Sequence, residues 1–132
     1  MRLVAAGVGC RKGCPAEEIA GLLRACLDEA GMDGNARARL ILAAPARKAE
    51  EPGIAGTARL LSLPLRLIDD AALHAAQDRV QTRSARVEAA VGLASVAEAA
   101  ALAAAGPGAR LLLTRRSSPA ATCAIAVLEE LP

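Results

Sequence analysis

A glycine-rich junction near the N-terminus constrains the fold more than any other feature of this sequence. Residues 4–15 read VAAGVGCRKGCP, and the first part of this stretch is an apolar run typical of a buried strand. The run passes into glycines and two cations, after which Pro15 and the glutamates that follow it indicate the first turn of a helix. A strand, a tight turn and a helix N-terminus are therefore predicted to meet here.

This junction predicts an anion-binding site. The first N–H groups of a helix have no helical partners, and the positive end of the helix dipole lies beside them. Gly7, Gly9 and Gly13 would let the backbone approach a ligand closely, while Arg11 and Lys12 would add positive charge. The spacing is neither that of a dinucleotide-binding motif, because Lys12 stands where the third glycine belongs, nor that of a P-loop. A turn that only reverses the chain is the competing interpretation.

Composition excludes several classes of function. The chain has 132 residues, of which 54% are apolar and none is Phe, Tyr or Trp. Proteins that bind single-stranded nucleic acid usually stack bases on aromatic rings, and a net charge of +2 is small for a nucleic-acid surface. No segment is both long and charge-free enough to span a bilayer. We expect residues 1–132 to form one cytoplasmic domain without nucleic-acid or membrane partners.

The cysteines and the single histidine do not predict a metal centre. Cys10 and Cys14 are four residues apart, but Cys26 and Cys123 supply no second close pair, and His74 is the only imidazole. We therefore expect no metal and no cofactor. Cys10 and Cys14 lie close to a predicted helix N-terminus and to two cations, so a thiol with a lowered pKa remains an open hypothesis for either. His74 is interpreted as a packing residue rather than a catalytic base.

Strand-like and helical patterns alternate along the rest of the chain. Apolar spacing, turn residues and capping residues predict helices over residues 15–31, 54–61, 70–74 and 95–105, and strands over residues 4–8, 40–44, 63–68, 109–114 and 122–128. This order predicts an α/β fold: a single three-layer domain with a mostly parallel sheet, helices on both faces and an antiparallel edge strand.

Basic residues follow three of the predicted strands. In open α/β sheets, ligands gather beyond the carboxyl ends of the strands. The pairs that follow strands are Arg11-Lys12, Arg47-Lys48 and Arg115-Arg116. The sequence therefore predicts that three basic pairs converge on one rim, although charged residues that only solvate loops are the competing interpretation.

A second candidate anion site lies at the start of the helix predicted over residues 95–105. Ser95 and Glu98 have the spacing of a capping box, and Gly92 precedes them. The N–H groups of this helix start could face an anion. A capped helix with no ligand is equally compatible with the pattern.

Four blocks of the sequence resemble one known family. They are residues 7–13, Lys48 with residues 51–53, residues 91–102 and residues 122–126. In this order and at these separations they resemble the cobalamin-biosynthesis family that comprises the CobE protein and the C-terminal domain of CbiG. The resemblance implies a small α/β protein acting in corrin-ring synthesis. CbiG-like members are associated with opening the δ-lactone of cobalt-precorrin-5A and releasing acetaldehyde, whereas this chain looks more like the free-standing CobE form of the aerobic route.

The resemblance also implies which residues form the site. The positions that carry over are Gly7, Gly9, Cys10, Arg11, Gly13, Gly92, Ser95 and Glu98. The implied ligand is a corrinoid or precorrin intermediate, and other cobalamin-biosynthesis enzymes are the implied partners. We expect its peripheral carboxylates to be bound by cations, namely Arg11, Lys12, Lys48, Arg115 and Arg116.

Two classes of function stay open at this point. In the first, the protein binds or carries a polycarboxylate corrinoid intermediate. In the second, it is a hydrolase acting on the lactone, with Glu51 or Glu98 as the general base. A carboxylate beside cations has a lowered pKa and is a poor base near neutral pH, which favours the first class.

Overall fold

The computed structural model describes residues 2–32, 34, 39–82 and 95–129. Within these ranges the strands are β1 (Arg2–Cys10), β2 (Leu40–Pro45), β3 (Leu65–Ile68), β4 (Arg110–Ser117) and β5 (Ala121–Glu129). The α-helices are α1 (Ala16–Glu29), α2 (Pro52–Leu61), α3 (Asp70–Ala75) and α4 (Val96–Ala105). Short 3-10 turns lie at Ala46–Lys48 and Gln77–Arg79. Strands and helices follow one another in the predicted order.

The strands form one mixed sheet with the order β3-β2-β1-β5-β4. Parallel pairing joins β1 to β2, where Val4 aligns with Leu40, and β2 to β3. β5 is antiparallel to both of its neighbours, and it aligns Cys123 with Val8 of β1. β1, β2, β3 and β4 therefore run in one direction, and their carboxyl ends lie at the same edge of the sheet.

β4 and β5 form an antiparallel hairpin, which agrees with the antiparallel pairing that the sequence predicts at one edge of the sheet. Within that hairpin, β5 lies inside the sheet and β4 forms its edge. The difference in burial explains this placement. β5 is buried continuously from Cys123 to Val127, whereas β4 carries arginines and exposes its first and last residues.

Helices cover both faces of the sheet and form two separate apolar cores. On one face, α1 contributes Ile19 and Leu23, and α2 contributes Ile54. On the other face, α3 contributes Leu73 and α4 contributes Leu102. The predicted three-layer α/β fold is therefore confirmed. None of the helices in the described ranges combines the length and the apolar character needed to cross a lipid bilayer.

Gly7 lies where α4 packs most closely on the sheet. A Cβ atom at this position would stand 2.0 Å from the carbonyl oxygen of Ala97 and 2.6 Å from the amide nitrogen of Ala101. A helix made largely of alanine can approach a strand this closely only because neither surface carries a large side chain. Packing against α4 thus explains the glycine at position 7, and Gly7 is not among the described residues that line the pocket described below, so its role in ligand binding stays a prediction.

Candidate functional site

The candidate site is a pocket of about 400 Å³ beyond the carboxyl ends of β1 and β2. Its walls come from the ends of these strands, the first residue of α4 and the turn between β4 and β5. The lining residues are Gly9, Cys10, Arg11, Pro45, Arg47, Lys48, Val96, Ser117, Ser118, Pro119, Ala120, Ala121 and Thr122. The predicted binding residues Gly9, Cys10, Arg11 and Lys48 are therefore brought together.

The pocket combines apolar surface with positive charge. Prolines, alanines and Val96 supply the apolar part, and the described lining residues include no Asp or Glu. Arg47 is 3.6 Å from the carboxylate of Asp70, so part of its charge is offset. Within the described part of the chain, no carboxylate lies within ion-pairing distance of Arg11 or Lys48. The pocket therefore favours an anionic ligand that has an apolar body.

A second hollow of about 390 Å³ adjoins the pocket and shares Arg47 and Lys48 with it. Its other lining residues are Lys12, Gly13, Glu50, Glu51 and Pro52. The predicted site residues Lys12 and Gly13 thus lie beside the pocket rather than in its wall. Its two glutamates offset part of the charge of its three cations, so the excess of positive charge is larger in the first pocket.

Backbone amides of the glycine turn are bonded within the protein. Gly13 has a φ of +82° and donates its N–H to Oε1 of Glu51 at 2.8 Å. Arg11 donates its N–H to the Ala120 carbonyl at 2.8 Å, and Cys14 donates to the Arg11 carbonyl at 3.1 Å. The prediction that amides of this turn bind an anion is therefore wrong for Arg11 and Gly13. The side chains of the turn carry the positive charge instead.

The first turn of α1 contains two acidic side chains. Glu17 and Glu18 lie in this turn, where their negative charges offset the helix dipole. Glu18 accepts hydrogen bonds from the hydroxyl of Ser118 and from the N–H of Ala120, and both bonds lower the pKa of Glu18. These negative charges oppose an anion at the start of α1, so the structure gives no support to the predicted anion site there, and that site stays a prediction.

The third basic pair, Arg115 and Arg116, is not among the described residues that line the pocket. β4 continues through Arg115 and Arg116 to Ser117, so both arginines lie within the strand, next to irregularities in its pairing with β5. The guanidinium of Arg116 forms an ion pair with Glu29 near the end of α1 and donates to the Thr114 carbonyl at 3.1 Å. The pocket therefore gives no support to the predicted role of Arg115 and Arg116 in ligand binding, which stays a prediction.

Glu98 and Ser95 are fully buried and form a structural polar cluster. The Glu98 carboxylate accepts N–H bonds from Gln81 at 2.7 Å, Thr82 at 2.9 Å and Arg115 at 2.8 Å. Burial raises the pKa of Glu98, but a hydrogen bond from the Thr82 side chain and these backbone bonds outweigh it, and the net pKa is lowered. Ser95 accepts the Glu98 N–H at 3.4 Å, as predicted for a helix cap. Gly92 lies outside the described residues.

The pocket thiol is not activated. Burial raises the pKa of Cys10 to about 11, and the positive charge of Lys48 offsets only part of this effect. Burial also raises the pKa of Cys14. The hypothesis of a low-pKa thiolate at either residue is therefore wrong. Across residues 2–32, 34, 39–82 and 95–129, no three His, Cys, Asp or Glu side chains are grouped so as to hold a metal ion.

The hairpin turn between β4 and β5 is the part of the site that the sequence interpretation missed. Ser117, Ser118 and Pro119 were not among the predicted site residues, yet they line the pocket. A serine pair followed by proline between two apolar runs is a turn signal. That signal could have identified a loop, but only the sheet order shows that this loop lies beside the end of β1.

Comparisons with known proteins agree with this fold. The model of the family described as cobalamin synthesis G C-terminus matches residues 4–126. The protein CobE from Sinorhizobium sp is 38% identical over 120 residues, which is 91% of this chain and 77% of the relative.

Solved structures of cobalamin biosynthesis proteins have the same fold as this chain. One match is the crystal structure of CobE, a protein from the cobalamin (vitamin B12) biosynthetic pathway. It superposes on this chain with a TM-score of 0.86 at 41% sequence identity, and the alignment covers 97% of this chain and 92% of the CobE chain. The cobalamin biosynthesis protein chiG from Agrobacterium tumefaciens strain C58 has a TM-score of 0.74 at 34% identity, over 94% and 97% of the two chains. A cobalamin biosynthesis protein G homolog from Sulfolobus solfataricus, with a TM-score of 0.72 at 22% identity over 96% and 37% of the chains, shares the fold.

Proposed function

Because the chain belongs to the family described as cobalamin synthesis G C-terminus, and is thereby a cobalamin biosynthesis protein of the CobE and CbiG kind, we propose that its pocket binds a polycarboxylate corrinoid intermediate. In this proposal the protein holds the ring acid and passes it between enzymes of the aerobic corrin pathway. It catalyses no step itself.

The chemistry of the pocket supports this ligand class. Corrinoid intermediates are flat and largely apolar rings fringed by acetate and propionate carboxylates. Arg11 and Lys48 stand beside an apolar lining, and the described lining residues include no carboxylate to compete for them. A guanidinium pairs with carboxylates through two parallel bonds, and the apolar surface excludes water from the ring. This combination of two available cations with apolar surface is the observation that carries the proposal.

The size of the site fits a ligand larger than the first pocket. The pocket of about 400 Å³ and the neighbouring hollow of about 390 Å³ share Arg47 and Lys48 as a common border. A broad ring can therefore rest in the first pocket while its outer carboxylates reach Lys12 across this border. Lys12 accordingly keeps its proposed role in ligand binding, at the edge of the ring rather than beneath it.

The hydrolase alternative has weaker support. A general base needs a carboxylate with a free oxygen near the substrate. Glu98 is fully buried with both oxygens bonded to backbone N–H groups, and its pKa is lowered. Glu51 is also buried, and it accepts the Gly13 N–H in the turn that it stabilises. Both carboxylates therefore have structural roles that their use as a base would disrupt.

The proposal is tested by absorption titration with hydrogenobyrinic acid, a metal-free corrin polyacid. Arg11→Ala should weaken binding by about tenfold or more, because a charge-assisted hydrogen bond contributes roughly 1.5–3 kcal/mol. Arg116→Ala removes the same charge from a side chain that is paired with Glu29 outside the pocket, so it is the matched control. We expect its affinity to remain within about twofold of the unmodified protein.

Two results would contradict the proposal. The first is an unmodified protein that causes no spectral shift in the corrin at any concentration tested. The second is an equal loss of affinity in Arg11→Ala and Arg116→Ala, because overall charge would then explain the binding. Release of acetaldehyde from a lactone-containing precorrin would instead favour the hydrolase.

A further inference from the structure

One wall of the pocket is a turn that the sheet alone does not hold in place. Residues Ser117 to Ala121 all line the pocket, and they connect the end of β4 to the start of β5. The Ser118 N–H donates to the Ala121 carbonyl at 2.9 Å, which leaves Pro119 and Ala120 as the two residues at the tip. A tip of this kind has backbone groups with no partner in the strand ladder.

Partners for this tip come from the opposite end of the sequence. Oε2 of Glu18, in the first turn of α1, accepts the Ser118 hydroxyl at 2.5 Å and the Ala120 N–H at 2.7 Å. The Ala120 carbonyl accepts the Arg11 N–H at 2.8 Å. Both polar groups of Ala120 are therefore bonded to the glycine junction or to the helix that follows it. These contacts fix the distance between the hairpin wall and Arg11.

Glu18 is a negatively charged residue next to a wall of a pocket that favours anions. A carboxylate near a pocket that attracts anions opposes ligand binding unless its own charge is taken up by donors. Here, hydrogen bonds from Ser118 and Ala120 hold the pKa of Glu18 below its ordinary value, so the group is ionised at neutral pH and its charge faces those donors. Glu17, one residue earlier in the same turn, is exposed, and the bonds from Ser118 and Ala120 go to Glu18 instead.

We propose that Glu18 is a positioning residue that holds the Ser118–Ala120 turn in place as a wall of the corrinoid pocket. The inference rests on the proposed function and adds the residue that sets the shape of the site. Without Glu18, the turn has to be ordered each time a ligand binds, and the cost of that ordering weakens the affinity. Glu18 itself does not touch the ligand.

The experiment compares four variants in the hydrogenobyrinic acid titration. Glu18→Ala should weaken binding by about fivefold or more, whereas Glu17→Ala, which removes the same charge from the same helix turn, should stay within about twofold. Glu18→Gln keeps an oxygen that can accept both bonds, so it should recover most of the affinity. Ser118→Ala removes one of the two bonds and should give an intermediate loss; because Ser118 also lines the pocket, the exchange rate of the Ala120 amide in this variant without ligand is the test if Glu18→Ala does not fold.

Hydrogen exchange without ligand supplies a readout that is independent of binding. The Ala120 amide should exchange faster in Glu18→Ala than in Glu17→Ala or Glu18→Gln. Equal affinities of Glu18→Ala and Glu17→Ala in a protein that binds the acid would overturn this inference alone. Unchanged protection of the Ala120 amide in Glu18→Ala would overturn it as well. If the unmodified protein fails to bind, the proposed function falls, and the role of Glu18 in affinity falls with it.

Discussion

Replacing Gly7 with alanine tests how closely α4 packs on the sheet. The new Cβ would lie 2.0 Å from the Ala97 carbonyl oxygen, so this part of the helix would have to move by about 1 Å to reach even the shortest contact, near 3.0 Å, that Cβ atoms make. The obstacle is helix backbone rather than a flexible side chain, and α4 is buried along most of its length. The whole helix would therefore have to shift.

The shift lowers the free energy of unfolding because α4 loses packing contacts with the sheet. Inserting one methyl group into a well-packed core typically costs about 1–3 kcal/mol, and a shift of a whole helix places Gly7→Ala at or above the upper end, about 3 kcal/mol. Displacement of α4 also moves Val96, which lines the pocket, so affinity for the proposed corrin ligand should fall together with stability. Urea unfolding followed by circular dichroism measures the free energy of unfolding directly.

Gly21 supplies the matched control. It lies in α1, where an added Cβ would meet no atom within 4 Å, and its φ is not in the left-handed region. Gly21→Ala should raise the free energy of unfolding by roughly 0.5–1 kcal/mol, because alanine loses less backbone entropy in a helix than glycine does. Replacing glycine with alanine is thus expected to lower the free energy of unfolding at Gly7 and to raise it at Gly21. A Gly7→Ala variant within about 1 kcal/mol of the unmodified protein would refute the packing argument.

Two further predictions concern titrating groups. Hydrogen bonds hold the pKa of Glu98 below its ordinary 4.5, so its contribution to stability is complete above that pH and is lost as the pH falls through the lowered folded-state value. Glu98→Gln should reduce this acid sensitivity and lower the free energy of unfolding at pH 7 by about 1–3 kcal/mol, and an unchanged pH profile of urea unfolding would contradict the assignment. Because burial raises the pKa of Cys10 to about 11, its alkylation by iodoacetamide should be slow at pH 7 and should accelerate up to pH values near 11. A rate already at its plateau at pH 8, measured with Cys14 replaced by alanine and with the alkylated residue identified as Cys10, would be inconsistent with a partly buried neutral thiol.

Local patterns predicted the elements of the fold because each pattern reports on its own stretch of chain. The glycine junction indicated β1 and α1, and the Ser95 cap with its alanine run indicated α4, since strand runs and helix caps depend on residues a few positions apart. The place of β5 inside the sheet could not be obtained in this way. A hairpin predicts that two strands pair, but not which of them also pairs with β1.

The candidate site was predicted in part for the same reason. Arg11 and Lys48 meet because the carboxyl ends of parallel strands share an edge, which is a general property of α/β sheets. The ion pair of Arg116 could not be predicted because its partner Glu29 is 87 residues away in the sequence. Glu18 was missed because it meets the hairpin 100 residues later. The spacing of residues within one stretch of sequence cannot predict contacts over such separations. These contacts determine which charged side chains remain available to bind a ligand.

The position of β5 bears on how the chain is made. The ribosome synthesises β5 after the other four strands, yet this strand lies between β1 and β4. While the nascent chain lacks β5, one side of β1 has no strand beside it, and an unpaired strand edge is prone to pair with other chains. Closure of the sheet therefore waits for the last strand, so a nascent chain that stalls within β4 should depend on chaperones to avoid aggregation.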